Sequence, residues 1–222
     1  MKDKIPLKVA EDTAKEFIEK IKPWCERVDI AGSVRRKKAV VGDIEIVCIP
    51  KVSRVSTADI WGNPIEVTVN SFDVELDKLI KEGVLARPQY LPRFGQRYKK
   101  LIAHPGTQKE IQVDIFECLP PSHWGVFFTI RTGSAEFSHS LVTYALEIGM
   151  RVKDNQLLKV RGANKDGSDI IPCPEEIDFF AGLGIPFIEP PLREGWYDPK
   201  HGSTLDQGIS TKGPTTVGVA QA

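Results

Sequence analysis

Apolar residues recur at Val9, Ala10, Ala14, Phe17, Ile18 and Ile21, the spacing of one helix face, so residues 7 to 22 predict an amphipathic helix that Pro23 stops. The period then shortens. "RVDIAGS" reads as a short strand running into a turn, and "KKAVVGDIEIVCIP" as a second strand. In that second run Asp43 and Glu45 interrupt a series of β-branched residues at the period of a strand, so both carboxylates leave the same face. Residues 71 to 82 return to helical spacing through Phe72, Leu76, Leu79 and Ile80, with Ser71 as the expected cap and Gly83 beyond the end.

"ARPQYLPRFGQRYKKLIAHPGTQKEIQVDIFECLPP" predicts a basic hairpin with "HPGTQKE" as its turn. In its second strand Ile111, Val113 and Ile115 alternate with Gln112, Asp114 and Phe116, which puts Asp114 on the more polar face. From Thr132 the character changes: "GSAEFSHSLVTYALEIG" predicts a helix and "RVKDNQLLKVRGANKDGSDIIPCP" a hairpin around "NKDG". "PEEIDFFAGLGIP" predicts a short helix starting at Pro174, with Glu175 and Glu176 at its positive end. Phe127, Phe128, Phe137 and Leu141 read as core, and Trp196 and Tyr197 as an anchor at the end of the fold. The last stretch, rich in Gly, Ser and Thr, has little to bury and is expected to be frayed or disordered.

Composition narrows this picture only modestly. The 222 residues include thirty basic and thirty acidic side chains, so the formal charge is zero, and 41% are hydrophobic. That balance does not announce a nucleic-acid binder, but a zero sum can hide a basic groove beside an acidic site. Cys25, Cys48, Cys118 and Cys173 are far apart and form no CxxC pair, which suits free thiols in a reducing compartment better than disulfides or a zinc knuckle. His123 and His139 belong to no recognisable zinc set. The N-terminus lacks the apolar core of a signal peptide and no apolar run approaches a membrane span, so a cytoplasmic protein is expected.

The acid pair alone fits a half-exposed strand with a wet face. Asp114, on a later strand, changes the reading. If the two strands are neighbours, Asp43, Glu45 and Asp114 converge on one patch, and that charge is costly without a cation. Such oxygen ligands suit magnesium, which keeps open positions for water and phosphate. Gly32 and Ser33 form a turn whose backbone N–H groups and hydroxyl can approach an anion, and Arg35 and Arg36 follow at once with forks that match phosphate oxygens. A solvated turn with an ordinary basic run remains the plain alternative for Arg35, Lys37 and Lys38.

"GSVRRKKAVVGDIEIV" resembles the signature of the nucleotidyltransferase superfamily associated with DNA polymerase beta: Gly-Ser, a spacer of nine residues after Ser33, then two acids separated by one hydrophobic residue. "IQVDIF" is similar to the strand that brings the third carboxylate. "TGSAEFSHSLVTYALEIGMRV" resembles the opening of the nucleotide-binding subdomain of family X DNA polymerases, and "EEIDFFAGLGIPFIEPPLRE" the segment that closes it. The similarities extend over residues 24 to 194 and are weakest from 51 to 92.

The resemblance implies an α/β (α+β) chain: a nucleotidyltransferase palm with a mixed sheet over 1–122, a small α+β nucleotide-binding subdomain over 123–197, and a flexible tail over 198–222. It implies a DNA-directed DNA polymerase acting in repair or short synthesis, with Asp43, Glu45 and Asp114 as catalytic metal ligands for Mg2+ or Mn2+. Gly32, Ser33, Arg36, Gly42, Thr132 and Gly133 would hold the dNTP. Arg93, Arg97, Lys99 and Lys100 would neutralise phosphates of primer–template or gapped DNA, in a stretch that also carries Arg87, Tyr90, Phe94 and Tyr98. A monomer with an accessory DNA-binding or ligase partner is expected. The alternatives are a nucleotidyltransferase acting on RNA or a protein hydroxyl, and a non-catalytic DNA-binding repair subunit.

Three departures from the family pattern carry expectations of their own. The residues before 24 are too few for two helix-hairpin-helix modules, so end-bridging and lyase activity are not expected of them. Ile130 and Arg131 stand where the family presents an aromatic pair before Thr-Gly. Val142 stands where a minor-groove arginine is common, with Ser138 one turn earlier in place of an amide, so weak discrimination of sugar and base is expected.

Overall fold

The computed structural model describes residues 4–89, 94–161, 167–199 and 201–204. Its centre is a mixed five-stranded sheet in the order β2 (Cys25–Ile30), β4 (Ile44–Pro50), β9 (Ile111–Glu117), β8 (Tyr98–Ala103), β7 (Leu85–Ala86). Only β4 and β9 run parallel. Both have covered faces, which is why their sequences are nearly continuous apolar runs interrupted by the acids. A short ladder of β1 (Ile5–Pro6) with β3 (Val40–Val41) ties the N-terminus to the segment before Asp43.

Helix α1 (Leu7–Ile21) lays Ala10, Ala14, Phe17 and Ile21 on one sheet face with Ile44, Ile46, Leu101 and Ile115, and α3 (Ser71–Lys81) adds Phe72 and Leu76. Each of the larger side chains contributes roughly 1.5–3 kcal/mol by leaving water. On the other side, Ala31, Val47, Phe116 and Cys118 meet Trp124, Phe127 and Phe128 of α4 (Trp124–Thr132). A separate C-terminal core gathers Phe137 and Leu141 of α5 (Ala135–Glu147), Leu157 of β11 (Gln156–Arg161), and Phe179 and Phe180 of α6 (Glu176–Gly182). Strand β11 lies between β10 (Met150–Lys153) and β12 (Gly167–Ile171). The four cysteines are free and buried.

Several details differ from the sequence pattern. Asn70, not Ser71, caps α3: its side chain accepts from the N–H groups of Phe72 and Asp73. The run before Thr132 is the helix α4, whose apolar residues surround its whole circumference and so carry no helical period. The expected hairpin is a three-stranded sheet, because Asp154 and Asn155 adopt positive φ and close a turn ahead of "NKDG". Asn164, Lys165 and Asp166 of that later turn lie outside the described residues. Helix α6 begins at Glu176, behind a capping box made by Glu175 and Asp178. Residues 52–70 form a projecting hairpin of β5 (Val52–Ala58) and β6 (Pro64–Asn70). β13 (Tyr197–Asp198) pairs with β14 (Ser203–Thr204), so the chain remains paired past residue 198; 205–222 lie outside the described residues.

Candidate active site

The parallel pairing of β4 with β9 puts Glu45 directly opposite Asp114, and Asp43 immediately precedes β4, close enough for its charge to act on both. On its other flank Asp114 is opposite Lys100 of β8. Gln112 Nε2 donates to Asp114 Oδ1 at 2.9 Å, and Asp114 is only 8% exposed. Burial and then the neighbouring Asp43 charge push the Glu45 carboxyl up to about 7, with Asp114 adding to the rise and Arg36 opposing it. Burial likewise raises Asp114, against the pull of Lys100 and with a further push from Asp43. The three carboxylates feel one another as like charges.

Backbone geometry fixes Glu45 as firmly as its strand does. Ala31 N–H donates to the Glu45 carbonyl at 2.8 Å, docking the start of α2 (Gly32–Arg35) on β4. Gly32 has φ +58°, and a Cβ there would overlap the Glu45 carboxylate. Glycine is therefore required twice, for the left-handed backbone and for the close approach.

As donors the three acids fit a hard divalent cation: they offer only oxygen, and the raised Glu45 and Asp114 values mean that positive charge beside them stabilises their ionised forms. Among the described residues no three His, Cys, Asp or Glu side chains close on a common point as a finished metal cage. The adjacency is a property of the strand register; the closed ligand set is not part of this structure.

The residues expected around a triphosphate surround α2. Ser33 is half-buried in its first turn and Gly42 is exposed ahead of Asp43. Arg36 donates from Nε to Glu194 Oε1 at 2.6 Å and from Nη1 to the Thr132 carbonyl at 2.7 Å. Thr132 is buried and its hydroxyl accepts from Arg35 Nη1 at 2.7 Å. Gly133 ends α4 so tightly that a Cβ would stand 2.6 Å from Phe137 Cδ1.

These contacts belong to a charged seam between sheet and C-terminal unit that the sequence pattern did not reveal. Arg27 grips Glu175 with both guanidinium ends, at 2.6 and 2.8 Å, and lies over the Trp124 ring. Arg35 grips Glu176 at 2.9 and 2.5 Å and lies over Phe128. Arg193, fully buried, donates to the same Glu176 and to the Ile188 carbonyl. Burial pushes Glu176 up, but the hydrogen bonds and charges of Arg35 and Arg193 outweigh it and hold the carboxyl below its ordinary value. The available signal was Glu175-Glu176 at a helix start, which helix-dipole reasoning already accounts for.

The expected DNA contacts separate. Lys99 is a correction: it is 1% exposed and its ammonium is committed to Glu117 and Asp73, beside the Gly95 carbonyl, so it offers no charge to DNA. Arg97 is exposed, yet its guanidinium holds the carbonyls of Leu119 and Pro120 in the connector to α4. Lys100 is half-buried beside Asp114. Arg93 and Tyr90 lie outside the described residues. Where an aromatic pair was missing, Arg131 lays its guanidinium 4.1 Å over the Phe116 ring, and the Ile130 carbonyl accepts from Ser138. Val142 is half-buried on α5.

Residues 128–194 match the family described as DNA polymerase beta thumb. The chain is 27% identical over 172 residues to DNA polymerase lambda of Rattus norvegicus, covering 73% of this chain and 28% of that protein. It thus spans less than a third of that relative's length. Among the described residues no helix is long and apolar enough to cross a membrane.

Proposed function

The chain fits the family X DNA polymerases, and from that premise we propose that it transfers a deoxynucleotide from a dNTP to the 3'-hydroxyl of a DNA primer, releasing pyrophosphate. The observation that carries the reading is the register of Glu45 against Asp114, with Asp43 at the head of the same strand and the Gly32 turn pressed against Glu45. The palm extends over 1–122 and the nucleotide-binding subdomain over 123–197, with the charged seam between them.

Asp43, Glu45 and Asp114 would hold Mg2+ or Mn2+, which when bound supplies Lewis-acid activation of the hydroxyl and charge for the phosphate oxygens. Asp114 stands nearest the primer side, where it would orient the hydroxyl and accept its proton. Gln112 fixes the carboxyl plane through Oδ1. Lys100, opposite Asp114, is placed to meet a primer phosphate. Ser33 and Arg36 take the outer phosphates, and Gly42, Thr132 and Gly133 shape the backbone around them. Catalysis of this kind rests on positioning and fixed charge. The same reading includes a monomer working in repair or short synthesis with an accessory DNA-binding or ligase partner.

The test is a primer-extension panel of matched primer–template, gapped and single-stranded DNA, each with single deoxy- and ribonucleotides and magnesium or manganese. Addition to a DNA primer is expected. No addition to any substrate with either ion would remove the polymerase reading, and addition to RNA ends alone would replace it with the RNA-directed one.

A further inference from the structure

Glu194 lies in the loop after Arg193, whose own guanidinium is locked to Glu176 and to the Ile188 carbonyl. From that fixed point its carboxylate reaches across the seam. Oε1 accepts from Arg36 Nε at 2.6 Å, and Oε2 stands 3.3 Å from Lys38 Nζ. One carboxylate is thus shared by two cations, with its oxygens spread as two phosphate oxygens would be. Arg36 also acts electrostatically on Glu45, so this fork lies next to the acids as well as to the loop. The pair is neither an exposed surface bridge nor deeply sealed: the Arg36 and Glu194 side chains are 10% and 15% exposed, while Lys38 is 48% exposed. A soluble anion can approach from the Lys38 side.

We propose that Glu194 is an internal competitor for the outer phosphates of the nucleotide. Its carboxylate holds the Arg36–Lys38 pair in the absence of substrate, and a polyphosphate binds by displacing it. The inference rests on the reading of Arg36 as a polyphosphate ligand. A triphosphate carries more charge and more acceptor oxygens than a carboxylate, so it wins the exchange. A singly charged or short anion does not. Glu194 therefore sets nucleotide affinity and favours the full polyphosphate tail, acting through Arg36 rather than on the reacting atoms.

Isothermal titration with inorganic tripolyphosphate, which needs neither primer nor turnover, separates this from the polymerase reading. Glu194→Gln is expected to bind tripolyphosphate about tenfold more tightly than wild type. KM for dNTP should fall in Glu194→Gln alone, and both gains should vanish when Arg36→Ala is added. Equal or weaker binding by Glu194→Gln, no binding by either chain, or an undiminished gain in the Arg36→Ala background would overturn the proposal. Should Glu194→Gln fail to fold, the wild-type chain still decides: the Arg36 Nε proton resonance must shift on adding tripolyphosphate, and a stationary resonance rejects the exchange. Loss of primer extension with the tripolyphosphate gain intact would sink the polymerase reading alone; extension without the gain would sink this one alone.

Discussion

Strands β4 and β9 and strands β5 and β6 are each seven residues long and rich in β-branched side chains, yet they make opposite structures. The first pair lies inside a five-stranded sheet with helices on both sides. The second is a lone ribbon in which every residue of β5 is exposed, ending in Ile60 and Trp61 at 88% and 80% exposure. Covered strands can fix a costly feature such as a half-buried acid facing a buried one, because neighbours on all sides hold the register. An uncovered ribbon is marginal by itself and holds only what its own cross-strand pairs can keep. Charge follows the same division: Arg54 and Glu66 on the ribbon meet at 4.0 Å in water, whereas Glu176 is 8% exposed between two arginines.

The largest expected effect comes from breaking the covered pair. Asp114→Asn should fold normally and lower primer extension roughly a thousandfold, since on the proposed reading it removes the hydroxyl's proton acceptor and an anionic metal ligand without changing shape. Extension at the wild-type rate by a folded Asp114→Asn chain would return the acids to a structural role. Next is Glu176→Ala, which leaves Arg35 and buried Arg193 without their carboxylate and should cost about 3 kcal/mol in chemical denaturation. The pH dependence has a definite sign. The folded pKa of Glu176 is depressed, so its contribution is fully present above the unfolded value of about 4.3 and is lost as pH falls through the folded value. The acid limb of a melting-temperature profile should therefore flatten in Glu176→Gln.

Gly32→Ala should cost about 1 kcal/mol from the left-handed backbone and lower extension by more than stability, because the new methyl displaces the Glu45 carboxylate. A crystal structure of the variant with Glu45 unmoved would contradict that account. The smallest effect belongs to the ribbon. Replacing Arg54–Thr68 by a short Gly-Ser turn should leave unfolding and primer extension within error, provided Asn70 is kept to cap α3 and to donate to Glu117. A large loss of extension would show that the uncovered strands serve the covered ones.

What the sequence made legible follows the same line. The period of Asp43 and Glu45 put both on one face, but nothing local sets which strand lies beside β4; the parallel register with β9 is a long-range fact. Lys99 was readable and instructive. In β8 it shares the inward side with Leu101 and Ala103, so period-two counting alone predicts its burial, whereas counting basic residues along the stretch hides it. The ribbon also carried its signal, two alternating β-branched runs around Asp59 to Asn63, where the Asp59 carboxylate accepts from the N–H groups of Trp61 and Asn63. Resemblance is weakest there and gave it no support. The seam was invisible because salt bridges between residues more than a hundred positions apart leave no pattern in the chain.

The seam also has a mechanical meaning. Glu175 and Glu176 are consecutive, yet one is held by Arg27 of a strand and the other by Arg35 of a helix, while Arg36 takes the Thr132 carbonyl at the end of α4. A single attachment between two bodies leaves a pivot, and two leave an axis. A third one off that axis opposes the remaining rotation, and Arg36 is joined in that task by Arg35 on the Thr132 hydroxyl. Releasing Arg36 frees Glu194 but leaves Thr132 on Arg35, so a turn about the line through the two neighbouring glutamates needs both arginines to let go of Thr132.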